Sequence, residues 1–465
     1  MKFKMAALTF VLGMNFFNVA FADEEPEVLS VDLEKSIYFA LKNNPEIEQS
    51  RQERESARWQ LSQARRQSGF NVNYTFTGER GKNSSLPNED ENIPGLPLRN
   101  TFNHEFRITF PLYRGGQLKN LRRQREFALN EADLTLEDTK QSIRSQTANA
   151  YYDILRCKYT IYIYEEEMKT LQEHLSRSTI QYKEGVVARS DILATSVALA
   201  NSKQRWTSAR ADYKKALATL NKLMGFPAEN PLIVDEELSY TENDLILTDC
   251  LEYAEQNRPD YFSTLYAVEQ AKYAVEEAKA QTRPAVDAVA KRNTEGDKFF
   301  KTNNLNSWGI GIDVSWNIFD NGVTDASVKD LQAKLKSAES VAKNKFETVR
   351  LEVYEAYTDL KAAEENIKTS GIAVSEAREE YDLCQLRYIE GVGTNLDVMY
   401  AQDKLSEART NYSDALYSYN VAIYTLEKSM GIPVDNDVPD YVAAQRDGKN
   451  SDEALKESEI GSTPE

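Results

Sequence analysis

Histidine is almost absent from this chain. Two occur in 465 residues, His104 and His174, far apart and in different kinds of segment, so no histidine-based metal cluster or catalytic constellation is at hand. Cysteine is nearly as scarce: Cys157, Cys250 and Cys384 cannot build a disulfide framework, although one pair is possible. Beyond the N-terminus no apolar run approaches the roughly 18–20 residues of a membrane-spanning helix. Bases are outnumbered by acids, 56 to 74, for a net charge of −18, which argues against nucleic acid as a partner and against attachment to anionic lipid. A phosphate-binding loop is missing too, because "YRGGQLK" at 113–119 lacks the P-loop spacing. From these absences no enzymatic activity, cofactor or metal is expected.

What is present begins with "MKFKMAALTFVLGMNFFNVAFA". Lys2 and Lys4, an apolar stretch of moderate length and the small residues Ala20 and Ala22 read residues 1–22 as a cleaved secretory signal. No cysteine follows the cleavage point, so a lipid-anchored N-terminus is not expected.

The rest of the chain is written twice. Shifting it by 206 places Leu112 on Ile318, Gly116 on Gly322, Tyr182 on Tyr388, Gly185 on Gly391, Gly225 on Gly431 and Pro227 on Pro433 without a gap. Further upstream the shift is 214, with Leu33 on Leu247, Asn43 on Asn257, Pro45 on Pro259 and Gln67 on Gln281. The difference falls in "RGKNSSLPNEDENIPGLPLRN", whose Gly, Pro and Asn are loop chemistry. A signal at 1–22 is thus followed by a first repeat at 23–225, a linker at 226–246, a second repeat at 247–433, and a tail at 434–465 with nine acids against three bases, read as disordered and solvated. Each repeat has the same order: short helix, helix, strand, variable loop, strand, very long helix, turn, helix.

From Gln117 to Glu184 there is neither Gly nor Pro. At ~1.5 Å per residue such a helix runs on the order of 100 Å, which no ordinary globular domain accommodates. Ile161, Tyr164, Met168, Leu171, Leu175, Ser178 and Tyr182 recur at spacings of three and four, and Ile367, Ser370, Val374, Ala377, Tyr381, Cys384 and Tyr388 repeat them. This is a coiled-coil seam, in which Cys384 is a packing residue. The two stretches "YKEGVVARSDI" at 182–192 and "YIEGVGTNLDV" at 388–398 are the same turn in two copies, at the far end of each hairpin from the strands. After the turn a returning helix and the helix from Pro45 would stack end to end beside the long one.

Strands are expected at about 70–78, 101–110, 284–292 and 305–318. In "LNSWGIGIDVSWNIF" the residues Trp308, Ile310, Ile312, Val314 and Trp316 alternate with Gly, Asp, Ser and Asn. The two tryptophans are about 26 Å apart at ~3.3 Å per residue, close to the ~25 Å apolar band of an outer-membrane barrel with aromatic girdles. Phe102 to Phe110 and Phe70 to Phe76 repeat the stripe, while "PAVDAVAKR" is weaker. A half-buried sheet of a soluble protein would alternate similarly, but the signal segment, the paired tryptophans and the long helices favour membrane. Four strands cannot stand alone in lipid, where open edges find no water to bond, so a closed barrel requires at least two copies.

This ordered set, together with "FPLYRGGQ" before the long helix and the endings "LNKLMGFP" and "LEKSMGIP", resembles the TolC family of outer-membrane efflux and secretion ducts over the mature chain to about Pro433. The resemblance implies a mainly α fold with transmembrane β, in which duplicated coiled-coil hairpins and four amphipathic strands per chain trimerise into a 12-stranded β-barrel on a periplasmic α-barrel. It implies localisation in the outer membrane with extension into the periplasm, and partners in a periplasmic adaptor, an inner-membrane transporter and outer-membrane lipid. Of the family's gate residues, Asp397 falls on the first ring acid, while Tyr400 stands at the second and Gly393 at the position of the gate Arg. Asp191 and Ser190 occupy the bridging partners, and Tyr388 is the hydrogen-bonding Tyr. Arg189 is the candidate replacement for the missing cation, pairing with Asp397 or Asp191. Gly185, Gly391 and Gly393 are the tip-turn glycines, Tyr182 is the first-repeat counterpart of Tyr388, and Trp308, Trp316, Phe102 and Phe110 are the membrane girdle.

For Asp191 and Asp397 the residues themselves also allow helix capping, since both lie at helix starts. The function expected is a passive exit duct for small molecules or polypeptides. The alternative is a periplasmic adaptor, which also uses a long helical hairpin; a secreted hydrolase has no evident site.

Overall fold

The computed structural model describes residues 29–81, 99–242, 245–296, 298–299 and 305–434. The signal segment 1–22 and the tail beyond Val434 lie outside the described residues. The first repeat comprises β1 (Leu29–Ser30), α1 (Leu33–Asn43), α2 (Pro45–Arg66), β2 (Asn71–Gly81), β3 (Arg99–Arg114), α3 (Gln117–Lys183) and α4 (Arg189–Leu223). Then follow β4 (Leu232–Ile233), α5 (Leu247–Asn257), α6 (Pro259–Ala280), β5 (Ala285–Gly296), β6 (Leu305–Ser315), α7 (Val323–Ile389) and α8 (Asn395–Met430). Helix α3 and helix α7 each have 67 residues, about 100 Å of continuous rod.

In α7 the residues Ile367, Tyr381 and Tyr388 are buried and Ser370, Val374, Ala377 and Cys384 half-buried, along the expected seam. In α3 the buried line is Ile163, Glu167, Leu171, His174 and Ser178. Tyr164, Met168 and Leu175 are only half-buried and Tyr182 is exposed. The seam is rotated by about one residue because two polar side chains, Glu167 and His174, take core positions that an apolar pattern does not reveal.

Helix α2 stacks end to end on α4, and α6 on α8. Asn44, which caps α2, donates from Nδ2 to the Leu223 carbonyl at the end of α4, 2.9 Å away. Its counterpart Arg258 donates to the Ser429 carbonyl of α8, also at 2.9 Å, and binds Asp260 and Glu352. That contact holds the Asp260 carboxyl at about 2: burial opposes the shift, but hydrogen bonds and charge from Arg258 and then Lys345 overcome it. The joint is tight: Gly225 has φ +76, and a Cβ there would sit 2.7 Å from the Asn43 carbonyl oxygen. Only glycine closes this Schellman turn, in which Phe226 N–H reaches the Asn221 carbonyl at 2.8 Å.

The apolar core lies where these joints meet the long helices. Tyr151, Ile154, Leu220 and Met224 centre one cluster and Val353, Leu360, Tyr419 and Leu426 the other. All three cysteines are free, so the pair that the sequence allowed does not form; Cys157 and Cys250 are buried in these clusters.

At the other end the strands form one antiparallel sheet in the order β2-β3-β5-β6. Its register aligns the outward stripes into rows such as Tyr74–Phe106–Arg292–Trp308 and Phe110–Ala288–Ile312. Strand β6 ends at Ser315 rather than 318, and β5 runs on to Gly296. Among the described residues no helix is long and apolar enough to cross a membrane.

Candidate functional site at the helical tips

Each hairpin turns through a glycine with positive φ, +78 at Gly185 and +75 at Gly391. Val186 N–H then reaches the Gln181 carbonyl at 2.9 Å, and Val392 N–H the Arg387 carbonyl at 3.0 Å. Gly393 is different: its φ is ordinary, but a Cβ would lie 3.0 Å from the Tyr388 backbone nitrogen. The second turn is thus wound closely on the end of α7.

Asp397 closes a capping box. Its N–H donates to Thr394 Oγ1 at 3.2 Å and its Oδ2 accepts from Thr394 N–H at 3.0 Å. These bonds hold its carboxyl below the usual range, and the charge of Arg387 adds to them. Asp191 sits in the first turn of α4 without capping it, its carboxylate accepting, among the described residues, from Ser190 Oγ at 3.4 Å. Among the described residues Arg189 forms no ion pair, with Asp397 or Asp191 or any other group of its own chain; the cation acting on Asp397 is Arg387.

Between the two hairpins lies a buried polar knot. His174 Nε2 on α3 meets Asn395 Oδ1 at the start of α8, at 2.5 Å. Asn395 Nδ2 donates to the Asp191 carbonyl of α4 at 3.2 Å and contacts Thr195 Oγ1 at 3.3 Å. Tyr388 OH on α7 lies 3.3 Å from Ser178 Oγ on α3, and its ring lies 5.0 Å from the imidazole of His174. All four helices are joined at one level. Burial pushes the His174 imidazole below its ordinary value, Asn395 opposing and Arg177 assisting. Neither His174 nor Asn395 was singled out by its sequence. The only signal was positional, since Asn395 is the 206-shifted counterpart of Arg189.

Two turns higher, Arg205 of α4 bridges Glu167 of α3 at 2.5 Å and Asp403 of α8 at 2.9 Å. Burial raises the Glu167 carboxyl, against the pull of Arg205. Tyr388 is therefore enclosed in its own chain, whereas Tyr182 and Tyr400 face outward. At the opposite end Trp308 is 79% exposed, and Trp316, just past β6, donates Nε1–H to the Thr282 carbonyl at 3.0 Å. Phe110 is exposed on the same face, while Phe102 is half-buried against Phe76 and Phe299.

The chain is similar to several known proteins. It is 22% identical over 431 residues to the outer membrane protein TolC of Salmonella enteritidis, covering 85% of this chain and 81% of that one. It is 23% identical over 448 residues to the alkaline protease secretion protein AprF of Pseudomonas aeruginosa, covering 90% and 88%. Its fold is that of the Campylobacter jejuni CmeC outer membrane channel, with a TM-score of 0.78 at 16% identity, covering 98% of this chain and 97% of that one. A family model described as outer membrane efflux protein matches residues 36–226 and 250–432, one span in each repeat. That match does not favour an adaptor, and with it the chain belongs to the outer membrane efflux protein family, whose members are channels rather than enzymes.

Proposed function

We propose that this outer-membrane exit duct works as a homotrimer, three sheets closing one 12-stranded barrel above a periplasmic α-barrel. One observation carries the proposal. Strands β2 and β6 are open edges of a sheet whose outward face is apolar, with Val72, Tyr74, Ile108, Ile310 and Ile312 exposed. Lipid offers nothing to bond an open edge, so the β6 edge of one chain pairs with the β2 edge of the next. Two chains would give eight strands, a barrel just wide enough to be filled by its own side chains; twelve leave a lumen. The inward residues, among them Asn71, Asn73, Asp287 and Asp313, make that lumen polar.

Transport through the duct is passive. The tips expose Val186, Leu193, Val392, Leu396 and Tyr400, an apolar rim suited to a periplasmic adaptor, through which an inner-membrane transporter supplies energy and selects cargo. Since the similar proteins include one named for protease secretion and one named as an outer membrane efflux protein, the cargo class is small compounds or polypeptides. Three copies of Asp397, with Asp191 and Ser190 near by, form a cation-attracting ring at the constriction.

Planar-bilayer recording of the purified mature protein tests this reading. A small cation-selective conductance that loses selectivity in Asp397→Asn supports both pore and ring. A pore indifferent to Asp397 leaves that residue as a cap for α8, and a folded sample with no conductance removes the duct.

A further inference from the structure

The knot between the hairpins occupies one interface of two. Within the chain, α8 lies in the groove between α3 and α4, which carries Glu167, Leu171 and Arg205. The equivalent groove between α7 and α8 is open, about 680 Å³ in volume, with Glu376, Glu380 and Glu407 among its lining residues. In a closed ring of repeats the helix equivalent to α8 is α4, so the groove is filled by α4 of the neighbouring copy.

The repeat also names the contacts. A shift of 206 carries His174 onto Glu380 and Asn395 onto Arg189. What is a neutral pair within one chain becomes an acid and a base between two. Glu380 and Arg189 are both exposed in the single chain, and among the described residues neither forms an ion pair. The same shift turns the Asn395 bond to the Asp191 carbonyl into one from Arg189 to the Asp397 carbonyl, and the contact of His174 with Tyr388 into one of Glu380 with Tyr182. Exposed Tyr182 and buried Tyr388 are thereby the same residue, seen without and with its partner. Charge supports the fit: α4 brings Arg189 and Lys203 to a groove lined by four acids, Glu376, Glu380, Glu407 and Asp414, against one base, Lys404.

We infer that Arg189 of one protomer pairs with Glu380 of the next, so that the tip is closed by alternating neutral and ionic contacts, three of each. The inference rests on the trimeric reading above. It makes the ionic contacts the salt-sensitive half of the closure, and their breaking parts protomer from protomer rather than hairpin from hairpin.

Charge exchange and cross-linking test it. Arg189→Glu and Glu380→Arg are each expected to raise resting conductance several-fold, and the double exchange to restore it. Treatment of the double variant Arg189→Cys/Glu380→Cys, made in a Cys384→Ser background because Cys384 is free and half-buried, with a short bismaleimide that spans the length of an Arg–Glu pair is expected to give covalent trimers on a denaturing gel, which the background protein and the single variants do not give. A trimer by mass that shows no inter-chain cross-link, or an exchange that fails to restore closure, overturns the pair and leaves the trimer standing. A purified protein with the mass of one chain overturns both.

Discussion

Replacing Asn395 by alanine is expected to loosen the closed tip. The side chain accepts from His174 at 2.5 Å and donates to the Asp191 carbonyl at 3.2 Å, in a site where His174 and Thr195 are also buried. Two hydrogen bonds at a net ~0.5–1.5 kcal/mol each give about 1–3 kcal/mol per chain. If opening separates the hairpins, that energy shifts the closed-to-open ratio by about 5- to 150-fold. Acid should act in the same direction. The folded pKa of His174 lies below the unfolded value of about 6.5, so the closed tip binds fewer protons than the loosened one. Its stability is full above about pH 6.5 and falls as pH drops below that, by at most about 1.4 kcal/mol per unit until the folded pKa is reached. Open probability in planar bilayers, measured at pH 7.5 and 5.5 in wild type, Asn395→Ala and His174→Gln, checks both statements, the last variant being expected to lose the pH response. Unchanged open probability in Asn395→Ala, with a lowered melting temperature, would refute the reasoning: the knot would then hold helices together without holding the gate.

Ile312 lies midway between Trp308 and Trp316 on the exposed apolar face of the sheet, which the proposed barrel turns to lipid, so Ile312→Lys is expected to cost ~2–4 kcal/mol per chain and to lower the fraction of protein inserted in the outer membrane. Gly311→Lys, on the lumen side, should insert normally. Gly185→Ala faces open space and should cost only the ~1–2 kcal/mol of its left-handed backbone, whereas Gly225→Ala adds a clash with the Asn43 carbonyl; denaturant titration should rank them in that order. Arg205→Met strands the Glu167 carboxylate, 2% exposed, and should destabilise by at least about 1–3 kcal/mol. Adding Glu167→Gln should recover part of that loss, and full additivity in the double variant would argue against the bridge.

The second hairpin was legible because Ile367, Tyr381 and Tyr388 are apolar at coiled-coil spacing. The first misled by one position, since Glu167 and His174 pair with Arg205 and Asn395, partners more than thirty residues away that no local pattern announces. The sheet was legible through its tryptophans and phenylalanines, and weakest at β5, where the outward positions are Ala288 and Ala290. At the tip the capping role of Asp397 followed from its place at a helix start. Asp191, in the matching place, does not cap, and Ala188, standing where Thr394 supplies a hydroxyl, leaves α4 without a side-chain cap. The role of Asn395 was hidden, an amide in a turn, until the fold brought His174 against it.

The equal length of α3 and α7 makes the pair a ruler. Removing two turns from α3 alone would leave one tip about 10 Å short of the other, and His174 would no longer find Asn395. The reach of such a duct across its compartment can change only by matched steps, taken in both long helices and in the broken rods beside them. A gene that doubled once has since been obliged to keep its two halves the same height.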